Sequence, residues 1–306
     1  MQEKSLSGRD LIAAATIVLI WGSNFVVTKF GLLSFTPMQL GAWRFLFAMF
    51  PLILIVRPPK LHWKWVVLYG LFQGFGQFGL LFVSLKVGMT AALASVLMPT
   101  QMFFTALFSY LILAEKPGRP LIIGMVLAAL GLTCFGMNYI MPVAGVAGAS
   151  TAIGLALCLT GASMWAASNV VVRLAQRSAP KYNTFAFLIW SSAVSVLPFV
   201  ALSLLLDPPA TRWTWIAAPW QAWLAPAYLG WAANIVGYGM WTSLIKRYGT
   251  NRIAPFSLGV PVVGLTCGIL FLDEVVTPWQ WGGVMLTVLA LACVVLGGRI
   301  RGMRPV

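Results

Sequence analysis

Trp21-Gly22-Ser23-Asn24-Phe25-Val26-Val27 and Trp165-Ala166-Ala167-Ser168-Asn169-Val170-Val171-Val172 decide how this chain is read. Each stretch starts on tryptophan, passes through small residues to Ser-Asn, ends on valines and lies inside a long apolar run. A second correspondence supports the first. Glu115 lies nine residues before Gly124, Glu274 lies nine before Gly283, and each glycine opens a similar apolar helix. The chain therefore reads as two related halves, 1–140 and 151–306, joined by an apolar, glycine-containing connection at 141–150.

The composition says what surrounds these stretches. Of 306 residues, 60% are hydrophobic and 8% charged, whereas a soluble domain carries roughly a quarter charged residues. An ordinary soluble globule is excluded. Apolar runs long enough to cross a bilayer, ended by Pro, Gly or charge, place ten helices. The first five are Leu11 to Lys29, Met38 to Val56, Trp65 to Leu85, Thr90 to Leu113 and Leu121 to Asn138. The second five are Thr151 to Val172, Thr184 to Leu206, Ala222 to Ile245, Ile253 to Leu272 and Trp279 to Leu296. Five is odd, so the halves have opposite orientations. The expected fold is an all-α membrane protein of ten transmembrane helices, built as two inverted five-helix repeats.

A net charge of +14 would point a soluble chain toward nucleic acid. Here the charges instead fix orientation, because basic loops stay in the cytoplasm. Sixteen of the twenty Lys and Arg fall on one side, Lys29, Lys86 and Arg212 on the other, and Arg44 alone inside a span. Both termini are expected in the cytoplasm, and no nucleic-acid partner is. Tryptophans at helix ends, Trp63, Trp65, Trp213, Trp215, Trp220, Trp223, Trp279 and Trp281, fit an interfacial belt. A cleaved signal peptide is rejected, since the first apolar run continues past Trp21 and recurs in mid-chain.

Several chemistries drop out. His62 is the sole histidine and sits in a short loop, which leaves neither a metal site nor a Ser/His or Cys/His hydrolase. No phosphate-binding Gly-Lys-Ser/Thr loop is present, so the chain carries no ATPase motor and no nucleotide cofactor. Cys134, Cys158, Cys267 and Cys293 fall inside helices as packing residues. All six acids lie at termini, loops or helix ends. No carboxylate is available in mid-span for proton coupling. Glu115 and Glu274 are expected to cap the start of the helix that follows each of them.

What remains is uncharged apart from one residue. Arg44 either snorkels outward or pairs with backbone carbonyls, or it anchors the carboxylate of an anionic or zwitterionic substrate. Asn24, Gln73, Gln77, Gln101, Asn169, Asn234 and Tyr238, with Ser95 and Ser168, are costly facing lipid. They face other helices or a wet central cavity. Trp21 and Trp165 share helical faces with Asn24 and Asn169, giving an aromatic wall beside an amide, or simply core packing. Pro99, Pro255 and Pro261 are candidate hinges or static kinks. Inverted repeats around such a set are the usual architecture of alternating-access carriers.

These features resemble the EamA branch of the drug/metabolite transporter superfamily, ten-helix carriers with two EamA repeats. The resemblance is carried by Trp21-Gly22-Ser23-Asn24-Phe25, by Arg44-Phe45, by Glu115 and Glu274, and by helices 8 and 9. These last read Val236-Gly237-Tyr238-Gly239-Met240-Trp241, Arg252-Ile253-Ala254-Pro255-Phe256-Ser257, Val260-Pro261-Val262-Val263-Gly264 and Asp273-Glu274. Within that branch the chain is most similar to bacterial exporters of O-acetylserine and cysteine. The resemblance implies secondary or facilitated export of small metabolites across the bacterial inner membrane. It implies a cavity lined by helices 1 to 4 and 6 to 9, with helices 5 and 10 peripheral. Efflux of aromatic or lipophilic compounds is the alternative within transport, and a membrane enzyme or scaffold the alternative outside it.

Overall fold

The computed structural model describes residues 7–140, 152–179 and 181–302. The connection expected at 141–150 lies outside the described residues. Among the described residues the chain is helical and contains no strand. Its main segments are α1 Gly8–Ser34, α2 Pro37–Met49, α3 Trp63–Lys86, α4 Ala91–Leu113 and α5 Arg119–Ile140. They continue with α6 Ala152–Ser178, α7 Thr184–Leu206, α8 224–248, α9 Ala254–Leu272 and α10 Pro278–Gly302. Eight of these, all but α2 and α8, are long and apolar enough to cross a membrane. With the family shown below, they make a multi-pass membrane protein.

The two exceptions have local causes. Helix 2 was expected to reach Val56, but its α-helix ends at Met49 and a 3-10 turn, Leu52–Leu54, follows. Pro51 has no N–H to donate and crowds the preceding turn, so the α-helix stops before it. Segment α8 is one turn of α-helix, Leu224–Ala227, then a π-helix, Tyr228–Gly237, then α-helix Tyr238–Tyr248. Its partner in sequence order, α3, is interrupted in the same way by a π-helix at Gly70–Gln77. Long π-helices are rare and gather at functional sites. These two occupy the third segment of each half.

Burial runs opposite to that of a soluble protein. Leu33, Leu205, Leu206, Leu270 and Phe271 are exposed on the perimeter, while Asn24, Thr28, Arg44, Gln73, Gln77, Ser95 and Ser168 are buried. Water is the poorer solvent for such a perimeter, and hydrocarbon the better one.

Contacts gather at two ends of the bundle. At one end Thr36 and Gln39 form a capping box on α2, with Gln39 Nε2 donating onward to the Thr211 and Arg212 carbonyls at 2.9 and 3.0 Å. Asp207 there accepts from Thr36 Oγ1 at 2.7 Å. Lys29 and Lys86 donate to the Leu85 and Leu32 carbonyls at 2.9 and 3.0 Å, each cation lying at the carboxyl end of the other's helix. At the opposite end Asp10 accepts from Arg247 Nη1 at 2.7 Å and from the Tyr248 hydroxyl at 2.6 Å. Trp190 Nε1 donates to the Val56 carbonyl at 3.0 Å.

Close approach between α2 and α8 depends on Gly230. A Cβ there would lie 2.6 Å from the Arg44 carbonyl oxygen and 2.6 Å from Phe47 Cβ, and backbone cannot step aside. Gly230→Ala is expected to separate the two segments and destabilise the protein by about 1–3 kcal/mol. A lower melting temperature of the purified protein in detergent is the measurement, and an unchanged one removes the packing argument.

Candidate functional site

A cavity of about 350 Å³ lies at the centre of the bundle. Eight of the ten candidate substrate residues line it: Trp21, Asn24, Arg44, Gln77, Gln101, Trp165, Asn169 and Tyr238. Gln73 and Asn234 do not. They border a smaller space of about 30 Å³ with Tyr69, Ser191, Ser192, Ser195 and Tyr238.

Arg44 organises the larger cavity. It is 2% exposed, on the buried face of α2. Its Nη2 donates to Asn234 Oδ1 at 3.0 Å, and its Nη1 makes a longer contact with Asn24 Oδ1 at 3.4 Å. Its guanidinium carbon sits 3.7 Å from the centre of the Phe78 ring, a cation–π contact. Nε has no partner. Among the described residues the ion pairs are Glu115 with Arg173 and Arg177, and Asp10 with Arg247. Arg44 thus carries its charge inside the bundle with neutral acceptors alone. Of the two structural outcomes expected for it, the geometry displays neither snorkelling nor pairing with backbone carbonyls.

Around it, Trp21 Nε1 donates to the Ala233 carbonyl at 3.0 Å, and its ring stands 5.1 Å from Tyr238 and 5.4 Å from Trp241. Asn169 Nδ2 donates to Gln101 Oε1 at 2.7 Å and to Thr105 Oγ1 at 3.1 Å. Gln73 Oε1 accepts from Ser168 Oγ at 2.5 Å, so these two serve helix-to-helix bonding. Gln77 is 3% exposed and its Oε1 has no partner.

The prolines occupy different places. Pro99 lines the cavity within a 3-10 turn, Met98–Thr100, that divides α4. Pro255 opens the 3-10 turn Ala254–Leu258, and Pro261 falls in the first turn of the α-helix Gly259–Leu272. Both lie inside the continuous segment α9, where 3-10 winding passes into α-helix.

Glu115 and Glu274 do not cap the helices that follow them. The α10 start is capped by Thr277 Oγ1, which accepts from Gln280 N at 3.2 Å, while Gln280 Oε1 accepts from Thr277 N at 3.0 Å. With that end satisfied, Glu274 reaches across the bundle instead. Its two oxygens accept from Ala91 N and Ala92 N, each at 2.7 Å, at the start of α4. Glu115 pairs with Arg173 and Arg177. It borders a second cavity of about 300 Å³ that shares Gln101, Met102 and Asn169 with the central one.

The lining also departs from expectation in its helices. Helix α7 contributes nothing to the larger cavity, and α10, expected at the periphery, contributes Leu291. Phe78, Met98, Met102, Trp241 and Ser257 are among the wall residues that had not been singled out as site residues. One signal was available. Trp190-Ser191 with Pro198 repeats the spacing of Trp43-Arg44 with Pro51, so Ser191 is the counterpart of Arg44 in the second half. Where the first half has a buried cation at this position, the second has a hydroxyl.

Comparison with known proteins agrees with this architecture. The model of the EamA-like transporter family matches twice, at residues 9–137 and 152–296. A probable amino-acid metabolite efflux pump of Salmonella typhimurium is 36% identical over 298 residues, 97% of this chain and 98% of the relative. The Escherichia coli protein of the same description is 35% identical over 297 residues, again 97% and 98%. A crystal structure at 19% identity superimposes with a TM-score of 0.57 over 97% of this chain and 99% of its own, which shows the shared fold. Two family matches, which together cover most of the chain, mean that it belongs to the EamA-like transporter family, within the drug/metabolite transporter superfamily.

Proposed function

We propose that this protein exports small amino acids and their derivatives, cysteine and O-acetylserine among them, across the bacterial inner membrane by alternating access. The observation that carries the reading is Arg44. A buried guanidinium without a carboxylate partner is unfavourable on its own, and a substrate carboxylate supplies the missing countercharge. The relatives described as amino-acid metabolite efflux pumps support the same substrate class.

In this reading the chain crosses the membrane ten times, as inverted repeats at 1–140 and 151–306, with both termini in the cytoplasm. The asymmetry of the two glutamates supports alternation. Glu274 holds the α4 start closed at one end, while its counterpart Glu115 borders a cavity that adjoins the centre at the other. Topology from the charges puts the Glu115 end in the cytoplasm, so the geometry corresponds to an inward-open carrier. Exchange of the two glutamates' roles would open the other side. The mid-span segments contribute no carboxylate to the cavity, so flux is driven by substrate concentration more than by a proton gradient.

Counterflow in proteoliposomes tests the reading. Purified protein is expected to give saturable exchange of cysteine or O-acetylserine, and Asn24→Ala and Asn169→Ala are expected to lower it about tenfold, the effect of one or two lost hydrogen bonds. Absence of exchange for any neutral amino acid refutes the substrate. The aromatic wall of Trp21, Trp165, Trp241 and Tyr238 favours one competing reading, efflux of aromatic compounds. Aromatic compounds that outcompete small amino acids in the same vesicles would establish it.

A further inference from the structure

We propose that Gln77 is the residue by which this cavity distinguishes an amino acid from a simple carboxylic acid, its side-chain carbonyl accepting from the substrate ammonium. The inference rests on the reading of Arg44 as carboxylate anchor and adds to it a second point of recognition.

Gln77 ends the π-helical stretch Gly70–Gln77 and lines the central cavity. It is 3% exposed, and Oε1 is without a hydrogen-bond partner. A buried amide oxygen left unpaired is destabilising, and native proteins leave few such atoms without a ligand or water to complete them. The other orphaned polar atom of the same wall is Arg44 Nε. The two are linked through one residue, because Phe78, next to Gln77 in the chain, is the ring on which the Arg44 guanidinium rests.

The unmet needs are opposite in kind. Arg44 Nε offers a proton and a positive charge, and Gln77 Oε1 offers lone pairs. A carboxylate satisfies the first and is rejected by the second. An ammonium does the reverse. A ligand that carries both on one carbon satisfies both and enters with no net charge, which suits a low-dielectric cavity. An acid without the amino group leaves Oε1 unpaired. Sites built to hydrogen-bond a group discriminate strongly against analogues that lack it.

The test uses matched pairs that differ only in the amino group: L-cysteine with 3-mercaptopropionate, L-serine with 3-hydroxypropionate and L-leucine with 4-methylpentanoate. Binding is read as ligand-induced thermal stabilisation of the purified full chain, and transport as inhibition of counterflow. Wild-type protein is expected to prefer the amino acid of at least one pair by about tenfold or more. Gln77→Met, nearly isosteric but without the acceptor, is expected to weaken the amino acid by about tenfold and leave the desamino acid unchanged. Gln77→Leu, expected to behave alike, guards against a folding defect in the first variant. Equal weakening of both members of a pair, or no wild-type preference in any pair, overturns the assignment. Binding and discrimination without flux would count against export while leaving the role of Gln77 standing.

Discussion

Replacing Arg44 by methionine is expected to abolish saturable transport and leave the protein as stable as before, or more so. Losing one member of a buried, hydrogen-bonded charge pair weakens binding by about 2–5 kcal/mol, which is roughly 30-fold or more. In the reading proposed above, the member lost is the guanidinium, and the substrate's carboxylate is left without it. Methionine keeps the aliphatic stem and loses the guanidinium that rests on Phe78, so any void is confined to that end of the side chain. The stability half of the expectation separates function from architecture. A guanidinium that held the helices together through a salt bridge would leave an orphaned carboxylate behind, but the described ion pairs do not include Arg44. Removing a charge whose desolvation is met only by Asn24, Asn234 and a ring relieves a cost, which offsets that of the two amide oxygens left without their donor. Lysine at the same position restores the charge but not the planar fork, and should recover little transport. Flux measured beside a melting curve checks both halves. Retained flux, or a large drop in melting temperature, would contradict them.

The second large effect is expected at Glu274. Its carboxylate takes two backbone N–H groups at the amino end of α4, Ala91 and Ala92, where the helix dipole adds to the attraction. A hydrogen bond to a charged group contributes about 1.5–3 kcal/mol, so losing either one shifts the balance between closed and open ends by about tenfold or more. Glu274→Ala should therefore make the Ala91 and Ala92 amides exchange with solvent deuterium at least about tenfold faster, and slow net transport. Glu115→Ala should leave those two amides protected, because Glu115 touches Arg173 and Arg177 instead. Equal protection in wild type and Glu274→Ala would mean that something other than this carboxylate seals that end.

What the sequence revealed follows the range of the interactions involved. Apolar runs report their own environment residue by residue, so segments such as Thr184–Leu206 were read at their observed bounds. Polar residues within those runs were equally visible. Asn24, Arg44 and Asn169 stand out because lipid forbids them an exposed position. The π-helices of α3 and α8 were not legible, since Gly70–Gln77 and Tyr228–Gly237 have no composition that separates them from α-helix. They depend on packing across the bundle. The glutamates were misread for a related reason. Their sequence neighbourhood named a nearby helix start, whereas the groups Glu274 meets lie 183 and 182 residues away. Pro51 carried a local signal that was overridden by the apolar residues around it, Leu52 to Ile55.

The hydrogen bond between Arg44 and Asn234 spans 190 residues of chain, and this distance has a meaning for synthesis. At about 5–20 residues per second, roughly 10–40 s separate the emergence of Arg44 from that of its closer acceptor. During that interval α2, whose α-helix is just 13 residues long, holds a guanidinium that the membrane disfavours by about 2.5–3.5 kcal/mol at a helix centre. Asn24, already made, is the nearer help in time and the longer contact in space, at 3.4 Å. The closer acceptor is supplied only when α8 arrives. The residue proposed to hold the substrate in the finished protein is thus also one that ties the first half of the chain to the second.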